Sequence, residues 1–474
     1  MTASLAPSVA SAPGSQTAEG EPLGLRPDAL GLAESTIMGV AGSGPAYSVA
    51  ASTVGLIGVV GVFGPACLLY AALIMFGVVF AFARLNKGDV NSGASYAWVG
   101  KIFSPALGFL AGWSSLISSV VFMVSGTLPA AAVTLKLIAP GLSSSQVAVT
   151  SVAALWLVAI GAVVAKGVKL TSYTQIALTL VEAGVLTLFI ILAIVRFSSA
   201  PAHPITLAWL SGAGSTPSAL AGGAMIALFA LSGWDVTANL NEETRDGARL
   251  VGAGSILALA LVAFLLAGFY GVALLVFTDA QIAHAGLNIV PAIADRLLPR
   301  PWSSIGALAV MLSTIGTLET SMLQFTRTMF SMARDGAVHP RYARLHRTYR
   351  TPLEATLLIV GLGLVLLFLS SWLPGVKTVI DDSINAVALQ IAFYYGLAGF
   401  ACAYAYRRAA MRSFGEFILL LAWPLLGAAL CVLLAASSLG GFDLTTNIVG
   451  LGGIAVGVVP YLWSRRRARP PQVA

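Results

Sequence analysis

Apolar residues run through this chain in long blocks separated by short polar stretches, and most blocks are long enough to cross a bilayer. A helix needs about 20 mostly apolar residues for that crossing. The pattern predicts twelve spans, at 34–57, 59–83, 104–134, 146–165, 173–197, 218–240, 250–277, 302–333, 353–372, 379–406, 414–437 and 444–463. The expected fold class is therefore an all-α integral membrane protein. Residues 1–33, rich in Ala, Ser, Pro and Gly at their start, read as a disordered cytoplasmic tail, and 464–474 read as a basic cytoplasmic tail. Residues 1–30 hold no basic residue before Arg26 and no apolar core, so the start does not read as a signal peptide.

Two spans are interrupted. In the first, Met38-Gly39-Val40-Ala41-Gly42-Ser43-Gly44-Pro45 packs three glycines and a proline into seven residues. Glycine raises backbone entropy, and proline removes a donor and clashes with the preceding turn. In the sixth span, Ala230-Leu231-Ser232-Gly233-Trp234-Asp235 is a second such stretch. Backbone freed from a helix inside hydrocarbon must line a cavity or be buried in protein. A matched pair of interrupted segments is the best sequence pointer to a transporter's binding site. Five spans per unit is an odd number, so a second unit enters the membrane from the opposite side. The expected organisation is a 5+5 inverted repeat, 34–197 and 218–406, with two appended helices over 414–463.

Composition narrows the class. The 474 residues are 58% hydrophobic and 9% charged, which no soluble domain of this size needs. The net charge of +7 does not point to nucleic acid, because of where the bases lie. With both termini set in the cytoplasm, Arg84, Lys87, Lys101, Lys166, Lys169, Arg245, Arg249, Arg334, Arg341, Arg344, Arg347, Arg350, Arg407, Arg408, Arg412 and the terminal arginines 465–467 and Arg469 fall inside. Only Lys136, Arg196, Arg296, Arg300 and Lys377 fall outside, as the positive-inside rule requires. Cys67, Cys402 and Cys431 sit singly in apolar runs, without the spacing of a disulfide framework or a metal site. No cofactor is implied.

Several longer stretches resemble the amino acid–polyamine–organocation (APC) transporters. GVAGSGPAYS in span 1 is similar to that family's Gly-Ser-Gly signature, and ALFALSGWDVTANLNEETRD in span 6 to its Phe-x-x-x-Gly-aromatic-acid pattern. GASYAWVGKIFSPALGFLAGW leads into span 3, and TRTMFSMARDGAVHP with RTPLEA joins spans 8 and 9, again as in the family. The resemblance covers roughly 34–437 and implies the LeuT-type fold. It further implies that the span 1 break takes a substrate carboxylate and that carbonyls of both breaks take an ammonium. Carried over, the substrate-binding residues are Ala41, Gly42, Ser43 and Gly44, with Phe229 as an aromatic gate and Ala230, Ser232 and Gly233 beside it. Pro45 departs from the family's usual apolar residue and lacks an N–H, so one carboxylate donor is missing.

Glu182, mid-span 5, is the sharpest single residue, since an ionised carboxylate there is costly. It falls where some family members carry a lysine. Three roles stay open: pinning span 5 to a neighbour, carrying a coupling proton, or attracting sodium with hydroxyls from Ser313 and Thr314. Asp235 reads as a cap on the second half-helix of span 6 ahead of a gate or an amine ligand. Glu242, Glu243 and Arg245 read as a network at the cytoplasmic mouth. Glu319 and Arg327 lie within about 80° of one face of span 8, with Arg327 as an anchor and Glu319 a weaker pathway candidate. Asp381 and Asp382 read as surface or helix-start acids, and Asn385 and Gln390 as weak pocket candidates.

The expected function is a secondary active transporter in the plasma membrane that imports an amino acid or related amine by alternating access. No nucleotide-binding loop appears, so an ion gradient would drive it, with a proton ranked ahead of sodium and exchange as the alternative. A channel or sensor ranks lower, and no nucleophile–base pair suggests an enzyme.

Overall fold

The structure, a computed structural model, describes residues 24–372 and 376–467. The first 23 residues of the expected tail, the side chains of Lys377, Asp381, Arg466 and Arg467, and all of Arg469 lie outside the described residues. Among the helices are α1 (Leu32–Ser43), α2 (Pro45–Val60), α3 (Gly64–Gly88), α4 (Ser95–Ile102), α5 (Pro105–Ile138), α6 (Gln146–Ala165) and α7 (Val168–Phe197). They continue as α8 (Pro217–Ala230), α9 (Val236–Asn239), α10 (Gly247–Val276), α11 (Ile289–Leu297), α12 (Ser304–Arg334), α13 (Leu353–Ser370) and α14 (Val376–Tyr406). Two last apolar helices, α15 (Phe414–Ser438) and α16 (Leu444–Arg465), complete the bundle. No strand occurs among the described residues; Leu30 and Thr244 make one isolated bridge.

By length and composition, ten of the described helical runs could cross a membrane. The first is the 57-residue run Leu32–Gly88, and the 14-residue α8 is too short to be counted with them. That run is subdivided by its own glycines. Gly44 ends α1 in the left-handed region at φ +49°, with its N–H bonded to the Val40 carbonyl at 3.0 Å. Pro45 then opens α2, where a missing N–H costs nothing and a fixed φ suits the first helical position. Gly61, at φ +56°, makes the next turn. In the second interrupted stretch α8 stops at Ala230, Gly233 takes φ +96°, and the chain resumes with the single turn of α9.

The apolar core has two main parts. One joins α2, α3, α8, α10 and the later half of α14; the other joins α5, α6, α12 and α13. The interrupted stretches lie where the two meet. Trp234 fixes the second of them: its ring lies 5.3 Å from Phe82 and 5.4 Å from Tyr395, and Phe82 also meets Trp98 at 5.4 Å. Residues 24–33, assigned by sequence to the tail, are folded instead. Leu25 and Leu30 are buried, and the Arg245 N–H bonds the Leu30 carbonyl at 2.8 Å. The apolar side chains of this short stretch had neighbours too distant in sequence to anticipate.

The same end of the bundle is closed by polar side chains. Arg327 on α12 grips Glu243 with two bonds, Nε to Oε2 at 2.8 Å and Nη2 to Oε1 at 3.0 Å, and both side chains are buried. Glu242 pairs with Arg334 at 2.8 Å. The expected trio with Arg245 is thus corrected: the glutamates reach forward about 90 residues to α12, because the turn after α9 points them at that helix. Asn239 and Asn241 complete the seal through Thr328, Ser92, Asn86 and Asn91.

A buried pair is costly to break on one side only, because the remaining charge stays desolvated. Arg327→Leu alone is expected to lose about 3–5 kcal/mol of stability, read as thermal unfolding in detergent. Replacing Arg327 and Glu243 together by Leu and Met should recover most of that loss.

Candidate functional site

The interrupted stretches touch. A Cβ on Gly42 would run into the Gly233 carbonyl, and one on Gly233 into the Gly42 carbonyl, so both positions need glycine for the backbones to meet. A Cβ on Gly44 would fall on the Thr317 hydroxyl. That hydroxyl bonds the Ala41 carbonyl at 3.0 Å, which ties the end of α1 to α12.

Around this contact lies a small cavity of about 50 Å³. Its walls include Gly42, Ser43 and Ser48 from the first break, Phe229, Ser232 and Gly233 from the second, Ser118 and Ser119 from α5, Thr317 and Gln324 from α12, and Tyr394 from α14. Hydroxyls and one amide are set among apolar walls that include Phe122, Val387 and Ile391, and none of the lining residues carries a formal charge. Phe229 also faces a larger vestibule of about 680 Å³ at the opposite end from the Arg327–Glu243 pair, so its ring lines both spaces. Ala41 and Ala230 sit within their helices behind the wall, Ala41 contributing its carbonyl to Thr317.

The start of α2 decides what this cavity can hold. A helix N-terminus presents unpaired N–H groups and a positive dipole end, and so attracts an anion. Here every donor of the first turn is taken. Pro45 has none; the Ala46 N–H donates to Glu182 Oε1 at 2.7 Å; the Tyr47 N–H donates to Ser313 Oγ at 3.0 Å; the Ser48 N–H donates to the Gly44 carbonyl at 2.8 Å. The Ser313 hydroxyl in turn donates to the same Glu182 oxygen at 2.7 Å. Glu182 reaches this point from α7 and is buried. The chain has placed a carboxylate of its own at the anion site of its own broken helix.

Asp235 is not the helix cap expected from sequence. It stands at the cap position of α9, but its side chain makes no cap bond. The carboxylate instead accepts from the Tyr395 hydroxyl at 2.6 Å, the Tyr394 hydroxyl at 2.9 Å and Gln324 Nε2 at 2.9 Å. α9 is a single turn, so it offers too little dipole and too few free N–H groups to hold the side chain back. Tyr394 and Gln324 line the cavity, so the Asp235 carboxyl lies one side chain behind its wall.

Other sequence candidates fall elsewhere. Thr314 donates to its own helix at Val310 and does not reach Glu182. Gln390 donates to the Val449 carbonyl at 2.9 Å, and Asn385 lines the vestibule. Glu319 faces α7 through Gln175. Asp382 is half-buried near the start of α14. All three cysteines are free, and no group of three His, Cys, Asp or Glu suited to a metal occurs among the described residues. Sequence reasoning missed Thr317, Gln324, Tyr394 and Tyr395. Their signal was present as polar positions inside otherwise apolar spans, like the Ser118-Ser119 pair on α5.

A family model described as amino acid permease matches residues 30–459. The chain belongs to the amino acid permease family. It falls within the APC superfamily, and its architecture is LeuT-like. This permease is 25% identical over 309 residues to the low-affinity putrescine importer PlaP of Escherichia coli, an alignment covering 64% of this chain and 66% of the importer, just short of two thirds of its length. It is 24% identical over 323 residues to a methylthioribose transporter of Bacillus subtilis, covering 64% and 67% of the two chains. An uncharacterized transporter of Mycobacterium tuberculosis matches at 25% over 405 residues, 84% of each chain. Among solved structures, the permease resembles the manganese transporter of Eremococcus coleocola with a TM-score of 0.59 at 15% identity, covering 92% and 95% of the two chains. That last likeness concerns the fold.

The Glu182 cap can be tested by stability alone. Glu182→Gln keeps an oxygen for the Ala46 N–H and the Ser313 hydroxyl and is expected to unfold near the wild-type temperature. Glu182→Leu strands both buried donors and should lose about 1–3 kcal/mol. Equal melting temperatures for the two variants in detergent would show that the cap contributes nothing.

Proposed function

We propose that this permease imports an organic amine across the plasma membrane, together with a proton, by alternating access around its two broken helices. The observation that carries this reading is the occupied N-terminus of α2. An α-amino acid brings a carboxylate that needs free N–H groups, and Glu182 and Ser313 already hold the ones this break offers. An amine needs only acceptors. Those are the broken-helix carbonyls, the hydroxyls of the lining, and the Asp235 charge behind Tyr394 and Gln324. Asp235 is bonded by three neutral donors and by no base, so its field reaches the cavity uncancelled. The putrescine importer among the relatives is an amine carrier by name.

The substrate-contacting residues in this reading are Gly42, Ser43, Phe229, Ser232 and Gly233, with the carbonyls of Ala41 and Ala230 and the turn at Gly44 shaping the site. Glu182 is the proton carrier: protonated, it releases its hold on the α2 dipole, and ionised, it restores it. Sodium is less well served, since the Ser313 oxygen already accepts from the Tyr47 N–H and Thr314 does not bond Glu182. The basic loops set the Arg327–Glu243 end on the cytoplasmic side with both termini, and the vestibule then faces outward. Twelve crossings follow if the run Leu32–Gly88 counts as two and the α8–α9 stretch as one. The two core halves, one built on α2, α3, α8 and α10, are the bodies that rock against each other.

Uptake of labelled amines and amino acids into proteoliposomes tests the coupling. An inward proton gradient should drive saturable accumulation without sodium. Glu182→Gln should abolish the pH-driven accumulation while sparing counterflow from preloaded vesicles. Unchanged pH dependence in that variant would remove Glu182 as the carrier, and accumulation only with sodium would remove the proton.

A further inference from the structure

A second buried carboxylate crosses between α7 and α12, away from the cavity. Gln175 on α7 donates through Nε2 to the Gly316 carbonyl at 2.9 Å and to Glu319 Oε2 at 2.5 Å. Two acceptors facing one nitrogen fix which way the amide points. The remaining oxygens of the pair, Gln175 Oε1 and Glu319 Oε1, are both buried and both without a donor. The Thr171 hydroxyl stands beside the carboxyl but is bonded to the Gly167 carbonyl at 3.2 Å. Gly316 permits the close approach: a Cβ there would lie 2.8 Å from Gln175 Oε1.

A neutral carboxylic acid and a carboxamide pair through two antiparallel bonds, amide N–H to acid C=O and acid O–H to amide C=O. The first of these is present. The two oxygens without donors are the atoms that the second would join. A single proton on Glu319 Oε1 therefore satisfies both. We propose that Glu319 is a proton-binding site of this permease, separate from Glu182, with Gln175 as its partner. One O–H bond forms on Oε1 from a solvent proton, and no other covalent bond changes.

No base neutralises the carboxylate. On α7 the titratable groups besides Glu182, two turns from Gln175, are Lys169, Tyr173 and Arg196; on α12, Arg327 is committed to Glu243 and Arg334 to Glu242. Of the helices packed on this pair, α1 carries only Glu34 in its first turn, α2 only Tyr47, α5 only Lys136 near its end, and α13 only Glu354 at its start. α11 carries Asp295 and Arg296, α10 carries Arg249 and Tyr270, α4 carries Tyr96 and Lys101, and α6 and α9 carry none. The consequence is mechanical. Protonated, the pair clasps α7 to α12 two residues from Thr317, which holds the end of α1. Ionised, it leaves both oxygens without a donor and loosens that seam.

The test is infrared difference spectroscopy of the purified permease through a pH step, read at the stretch of protonated carboxyls. Wild type should show a band that is lost in Glu319→Gln, kept in Glu182→Gln, and displaced in Gln175→Leu, where the acid remains and its acceptor is gone. Glu319→Gln can form an amide–amide pair and should fold. If it does not, displacement of the band in Gln175→Leu, with no displacement in Glu182→Gln, carries the same test. A spectrum unchanged in both Glu319→Gln and Gln175→Leu overturns the proposal. So does loss of the band on adding sodium at constant pH, which would mark a cation site. The readout needs no substrate, so it stands whether or not the amine reading does.

Discussion

The bond between the Ala46 N–H and the Glu182 carboxylate, 2.7 Å long, is the constraint on which the site depends. Gly44 and Pro45 stop one half-helix and start the next inside an apolar bundle, which leaves N–H groups that hydrocarbon cannot satisfy. Acceptors must sit there, and an anion suits the dipole best. In this chain it is a glutamate from α7, fixed in turn by the Ser313 hydroxyl from α12, so one carboxylate joins three helices at the level of the cavity. Moving any of the three disturbs the other two. A group placed this way can couple its own protonation to the geometry of the break.

The remaining buried charges follow a consistent division. Where the bundle is closed, opposite charges neutralise each other, as Arg327 and Glu243 do. Elsewhere in the bundle they do not. Asp235, Glu182 and Glu319 are all buried, and each is held by hydroxyl, amide or backbone donors rather than by a base. Buried ionisable groups in membrane proteins tend to mark substrate and ion pathways. An interior with acids in excess favours cations, whether a protonated amine or a proton.

The breaks were legible in the sequence because their causes are local: Gly44, Pro45 and Gly233 act on the backbone where they stand. Glu182 was legible for a similar reason, as one acid in a long apolar run. What it bonded was not. Ala46 lies 136 residues away and Ser313 131, and only the packing of α2, α7 and α12 brings them together. The same distance effect explains the misassigned partners. Glu243 reads by sequence as part of a network with Glu242 and nearby Arg245 and bonds Arg327, and Asp235 reads as a local cap and bonds two tyrosines of α14. Local chemistry predicts where the chain bends; it does not predict which distant side chain completes the bend.

The most direct measurement is competition binding to the purified permease with matched pairs, each an amine and the α-amino acid that differs from it only by the α-carboxylate. An occupied α2 N-terminus predicts that the amine of each pair binds and its amino acid partner competes at least tenfold more weakly, the equivalent of about 1.4 kcal/mol. Equal or tighter binding of the amino acids would mean that a substrate carboxylate displaces Glu182, and that account of the site would be wrong.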